Sequence, residues 1–280
     1  MRTRLLAFFA VTSLVAVASG CYVASHAGVA ASLWLRNLAA WAVGALLAWG
    51  ISRISPEILL RVAMVLAPLA LLASLLGAGQ EGVHRWIPLR GFQVHAAFLM
   101  LPFATVAFVG GAQRRNRWAL SAILGTGAVL CLQPDASQAT AFAAAMVVVV
   151  GRTPHPGRSG VVAALWVGMM AALSWLRPDP LTQVPEVEGI LGLAKGISPV
   201  LAGICGVSML ASAIVPLVAC RKASPHAGKA ARALSAYFLV CAAMPFVGAF
   251  PVPLVGMGVS PILGFWLGVG ALAAVCREEV

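Results

Sequence analysis

Charge is what this sequence has least of. Asp, Glu, Lys and Arg make up 10% of its 280 residues, where a soluble domain carries roughly 25%. That shortage excludes an ordinary soluble fold. Acids are scarcer still, 8 against 19 Lys plus Arg, for a formal net charge of +11. Six cysteines (Cys21, Cys131, Cys205, Cys220, Cys241, Cys276) show no Cys-x-x-Cys and no Cys/His ligand spacing. That excludes the common zinc motifs and a disulfide framework, and the cysteines read as small packing residues inside apolar runs. Soluble domains, low-complexity tracts, long linkers and a convincing internal repeat are all missing, and the missing repeat argues against a transporter built from inverted halves.

What is present is apolar sequence, 61% of the chain, in runs close to 20 residues long. The runs do not alternate, so they predict helices rather than a transmembrane barrel. The expected fold is all-α: a polytopic membrane protein with about ten transmembrane helices in one integral membrane domain, 1–280. The spans fall near 5–24, 33–51, 58–77, 94–111, 118–133, 137–150, 160–176, 197–219, 233–249 and 259–276. The start, MRTRLLAFFAVTSLVAVASGC, has the basic, apolar and small-residue order of a signal peptide. It is read as a retained first span.

The excess positive charge does not point to nucleic acid, because it sits in short connectors between the runs. With the N-terminus in the cytoplasm, the inside connectors hold 14 basic residues: Arg2, Arg4, Arg53, Arg61, Arg114, Arg115, Arg117, Arg152, Arg158, Arg221, Lys222, Lys229, Arg232 and Arg277. The outside holds 5: Arg36, Arg85, Arg90, Arg177 and Lys195. The split predicts both ends inside. Glu81, Asp135, Asp179, Glu186 and Glu188 then gather outside, and no charge lies in the middle of a span. An ion-coupled pump keeps ionisable groups there.

Three outside segments carry chemistry. The first, GVHRWIPLRGFQVH (82–95), sets Arg85 beside Trp86; the Arg suits a phosphate and the Trp offers a flat amphipathic face. The same pair also reads as an interfacial Trp with a snorkelling Arg. The second, QPDASQ (133–138), breaks a helix at Pro134. Irregular backbone at this depth is tolerated only when it is buried in protein or lines a polar cavity. Asp135 is placed to cap the following helix. The third, RPDPLTQVPEVEG (177–189), holds Asp179, Glu186 and Glu188. Paired acids suit general acid/base work, and an acidic solvated loop is the plainer alternative.

The order of these features resembles the SEDS family, the FtsW/RodA-like membrane proteins of bacterial cell-wall assembly. Gly82, Arg85, Trp86 and Ile87 match its G-x-x-R-W-I outside loop. Phe92 and Gln93 match the start of its F-Q-P-S-E motif, and Gln133, Pro134 and Asp135 match its Q-P-D turn. The chain departs at FQVHA, where Ala96 replaces the family Glu and Leu99 the Lys three residues on. It also lacks the Ser-Tyr-Gly-Gly-Ser signature before the last span, and the outside loop after span seven is short, with Pro185-Glu186 and then Glu188 in place of its Pro-Glu pair and acid. The resemblance is to a divergent, shortened member.

The resemblance implies a bacterial inner-membrane protein that handles lipid-linked peptidoglycan precursor, or a degenerate relative that regulates those that do. Its partner would be a single-span transpeptidase or another division or elongation protein. An active member would be a glycosyltransferase. Arg85, Trp86, Gln133 and Asp135 would bind substrate, and Asp135, Asp179, Glu186 or Glu188 would orient or deprotonate the acceptor hydroxyl. A divalent cation is implied by the family, with no dedicated site visible. The alternatives are a non-catalytic scaffold, using small-residue stretches at Gly44–Ala48 and Ala143–Ala145, and a polyprenol-lipid flippase.

Overall fold

The computed structural model describes residues 1–113, 116–151 and 157–277. Its order is α1 (Arg2–His26), α2 (Ala31–Ile51), α3 (Pro56–Leu75), β1 (Trp86–Leu89), β2 (Phe92–His95), α4 (Ala96–Gln113), α5 (Arg117–Leu132), α6 (Ala136–Gly151), α7 (Arg158–Trp175), α8 (Ile190–Ile197), α9 (Pro199–Ala219), α10 (Pro225–Ala243) and α11 (Val259–Val275). A 3-10 turn, Met244–Phe246, follows α10. Ten long helices stand where ten apolar runs predict spans, and α8 and the β1–β2 hairpin are additions. The chain is an all-α polytopic membrane protein. The helices α1, α2, α3, α7 and α9 are long and apolar enough to cross a membrane, and α4, α5, α6 and α11 are shorter apolar helices beside them. Arg114, Arg115 and Arg152, counted above among the inside charges, and Glu278 and Glu279 lie outside the described residues.

Three helix starts are written the same way. Ser55-Pro56, Ser198-Pro199 and Ser224-Pro225 open α3, α9 and α10. Each serine Oγ accepts a first-turn N–H, from Ile58 at 3.4 Å, Val200 at 3.2 Å and Ala227 at 3.4 Å. Proline then takes the first helical position, where no N–H is needed. This signal moves span nine. Hydropathy puts it at 233–249, but α10 runs 225–243 because the Ser224 cap starts it early and Pro245 lies in the turn that follows it.

At the centre α11 packs chiefly on α4 and α2, and glycine sets the approach. A Cβ on Gly264 would lie 1.9 Å from the Phe98 carbonyl oxygen, and one on Gly270 would lie 2.7 Å from Ala48 Cα. Close backbone contact of this kind is how helices associate where lipid removes the hydrophobic drive. Gly44 instead makes room for the Trp266 side chain. Gly44 and Ala48 are therefore occupied by internal packing, and Ala143 and Ala145 are buried too. Outward-facing side chains such as Leu46 and Val207 are exposed and apolar, as a lipid-facing surface requires.

The connectors gather at two ends. At one, the Arg277 guanidinium donates to the Arg53 carbonyl at 2.7 Å, joining the end of α11 to the α2–α3 connector. At the other stand the hairpin, the α5–α6 turn and residues 176–189, and this end carries the candidate site.

Candidate functional site

The hairpin sets the frame. Its register pairs Trp86 with His95 and Leu89 with Phe92. The two-residue loop between the strands, Arg90-Gly91, has φ of 32° and 86°, the doubly positive conformation of a tight hairpin turn that glycine permits cheaply. The pairing puts the Trp86 and His95 rings edge to face, 5.6 Å apart. His95 is then held on every side. Its backbone N–H donates to Ser260 Oγ at 2.9 Å, and its Nδ1 accepts the Phe98 N–H at 3.3 Å. An accepting Nδ1 carries no proton, so the neutral ring bears its hydrogen on Nε2. Nε2 stands 3.5 Å from Asp135 Oδ2.

The α5–α6 turn supplies the next layer. Asp135 caps α6: Oδ1 accepts the Gln138 N–H and the Ser137 hydroxyl, each at 3.2 Å. Gln138 in turn accepts the Tyr237 hydroxyl, carrying a buried polar chain toward α10. Gln133 is fully buried and donates to the Leu71 carbonyl at 2.9 Å and to Ser74 Oγ at 2.5 Å. Gln133 thus ties the end of α5 to α3. The Pro134 carbonyl accepts an N–H of Arg85.

The third layer is the loop after α7. Asp179 Oδ2 meets Arg85 Nη2 at 2.6 Å. Glu188 Oε2 accepts the Val184 N–H at 2.7 Å. The carbonyls of Glu186 and Val187 accept N–H groups of Met257 and Val252, at 2.9 and 3.1 Å, pinning this turn to the segment before α11. Burial raises the Glu188 carboxyl above its ordinary range, and the Val184 N–H offsets only part of that.

These layers enclose a cavity of about 180 Å³ lined by Arg85, Trp86, His95, Asp179, Leu181, Thr182, Gln183, Glu188 and residues 249–251. Of the residues singled out from sequence, Arg85, Trp86, Asp179 and Glu188 meet here. Gln133 and Asp135 do not line it: Gln133 is a strut, and Asp135 stands behind His95. Glu186 opens instead on a second cavity of about 430 Å³, with Arg36, Asn37, Gln93 and Ser260. Glu186 and Glu188 therefore do not face one space as a pair. His95 was not among the sequence candidates, and its signal was present in FQVH. Only the strand register reveals that the fourth residue of that stretch faces Trp86.

Among the described residues no three of His, Cys, Asp and Glu come together as a metal site would need. The Asp179 carboxylate is engaged by Arg85 and that of Glu188 by a backbone N–H, so the oxygens present do not fit a dedicated divalent-cation site.

No family model matches the sequence, and comparison with curated proteins finds no match. Solved structures do match. The rod shape determining protein RodA of Thermus thermophilus is 21% identical, with 97% of this chain and 96% of that chain covered and a TM-score of 0.65. An aspartate-to-alanine mutant of the same protein gives 20%, 97% of each chain and 0.65. A chain of a peptidoglycan synthase complex, described as coordinating polymerization and crosslinking, gives 20%, 97% of each chain and 0.64. Over nearly its whole length, the chain has the fold of RodA.

Proposed function

We propose that this chain is a SEDS-like protein of the bacterial inner membrane, a relative of the cell-shape proteins, that binds a lipid-linked peptidoglycan precursor at the cavity of Arg85, Trp86, His95, Asp179 and Glu188. The observation that supports this reading is the convergence of one buried cation, one flat aromatic and two acids on a single space in the RodA fold. Arg85 suits a pyrophosphate through charge-assisted hydrogen bonds. Trp86 offers a face to a sugar ring. Glu188 is the best placed base: it lines the cavity, and its raised pKa brings it toward the working pH. If transfer occurs, Glu188 takes the proton of the acceptor hydroxyl as that oxygen displaces the lipid pyrophosphate. His95 and Asp135 hold the wall in register.

Polymerisation is expected to be weak or absent. Ala96 stands where the family carries Glu, and it is 1% exposed with no polar group to offer. That substitution favours, as second reading, a non-catalytic relative that binds precursor or steadies a single-span synthase partner. The test is purified protein with purified lipid-linked disaccharide-peptide, measuring binding and glycan products separately. Binding without products supports the second reading, and products lost in Glu188→Gln support the first. Absence of binding removes the precursor site and leaves only the partner-steadying role.

A further inference from the structure

Asp179 occupies the very group that a precursor's phosphate would need. The side chain of Arg85 is 6% exposed and that of Asp179 31%. Arg85 Nη2 serves both Asp179 and the Pro134 carbonyl, while Arg85 Nε is buried with no partner. A buried guanidinium stripped of its anion is strongly unfavourable, so an anion has to be at hand. Here that anion belongs to the chain.

It is carried by a weakly held segment. Residues 177–184 form no helix or strand. Leu181 N–H bonds to Asp179 itself, at 3.4 Å, and Val184 N–H to Glu188. Among the described residues, Asp179 to Arg85 is the one hydrogen bond from 178–184 to anything beyond this loop. Leu181, Thr182 and Gln183 of the same segment wall the cavity. At about 180 Å³ the enclosed space falls below the roughly 300–1,000 Å³ of small-molecule sites. A disaccharide does not enter it as it stands.

We infer that Asp179 holds the place of a ligand's anionic group: residues 177–184 are a strap closed by the Asp179–Arg85 pair, and an incoming pyrophosphate opens it by taking that seat. The inference rests on the precursor-binding reading above. Exchange of one anion for another leaves Arg85 compensated throughout, frees Asp179 into water, and enlarges the cavity as Leu181 to Gln183 move with it. A pyrophosphate can also engage the guanidinium through two N–H groups, which favours the exchange. A neutral lipid alcohol has nothing to offer Arg85 and leaves the strap shut. The strap therefore selects for charge before any sugar is read.

The test uses the full chain in lipid nanodiscs and amide hydrogen exchange over 181–184, with binding measured separately by retained radiolabelled lipid. Asp179→Asn, Arg85→Gln and the double variant should each speed exchange of this segment by about tenfold, with the double no faster than either single and the long helices unchanged. The double variant carries no unpaired charge and guards against misfolding of a single. Unchanged exchange in Asp179→Asn and in the double overturns the strap. Polyprenyl pyrophosphate should loosen the segment in the wild type, polyprenol should not, and Asp179→Asn should bind the pyrophosphate about tenfold more tightly. Pyrophosphate that binds while 181–184 stay protected overturns the displacement. Failure of pyrophosphate to bind wild type or Asp179→Asn, with the variants loosened, sinks the precursor reading while closure of the strap by Arg85 stands.

Discussion

Glu186 and Glu188 are two positions apart and open on different cavities, so each has to be argued from its own surroundings. Burial raises the Glu188 carboxyl from its ordinary 4.5. A raised acid binds its proton more tightly folded than unfolded, so its contribution is favourable below the unfolded pKa and is lost as pH climbs through the folded one. Thermal unfolding of Glu188→Gln against wild type should therefore show the variant gaining relative stability as pH rises from about 4.5 toward neutrality. Parallel melting temperatures across that range would mean the carboxyl is not burdened by burial. Asp135 poses a different test. Its Oδ1 caps α6 and its Oδ2 faces His95. Asparagine retains the cap, so Asp135→Asn should reach normal membrane levels, while Asp135→Ala should lose about 1 kcal/mol. If the charge also holds the His95 wall, Asp135→Asn will fold and fail to complement a deletion. Full complementation would reduce Asp135 to a cap.

Elements show where the sequence was readable. Long apolar runs announced ten helices because lipid demands length and continuity, and Pro134 announced the α5–α6 break because proline removes a donor. The hairpin was less legible: four-residue strands give too short an alternation to stand out, although the Arg90-Gly91 turn was in plain view. Helix α8 was not announced, because the eighth apolar run begins at 197 and leaves 190–196 in the connector; the Ser198-Pro199 start then separates α8 from α9. Among site residues, Arg85, Trp86, Asp179 and Glu188 could be picked from chemistry and order. His95 could not, because its role depends on strand register, and the Arg85–Asp179 pair could not, because its partners are 94 positions apart. The packing of α11 gives this scale its prediction. Gly264→Ala forces a Cβ into the Phe98 carbonyl and should cost on the order of 1–3 kcal/mol. Gly168 on α7 has open space around its missing Cβ, so Gly168→Ala should be neutral or gain roughly 0.5–1 kcal/mol of helix stability. Equal melting temperatures for the two variants in detergent would show that α11 does not rely on backbone contact.

The whole molecule has two unlike ends. The site end carries the acids Glu81, Asp135, Asp179, Glu186 and Glu188. The opposite end carries Arg53, Arg221, Lys222, Arg277 and most of the other basic residues, with Arg53 also lying over the Trp49 ring at 3.5 Å. Basic connectors are retained on the cytoplasmic side of a membrane. That asymmetry predicts that the site end faces outward and that both chain ends lie inside. The proposed function depends on this orientation, because a cavity facing the cytoplasm would meet a different pool of lipid pyrophosphates. Reporter fusions after Gly111, Gly151 and Lys222 should read cytoplasmic, and fusions at Gly82 and Val184 should read outside. Lys222 is the most telling of these, because it follows α9 and so depends on α8 being a surface helix rather than a span. An outside signal there would make α8 and α9 count differently, invert everything after residue 198, and take residues 249–251 away from the cavity they wall with Glu188.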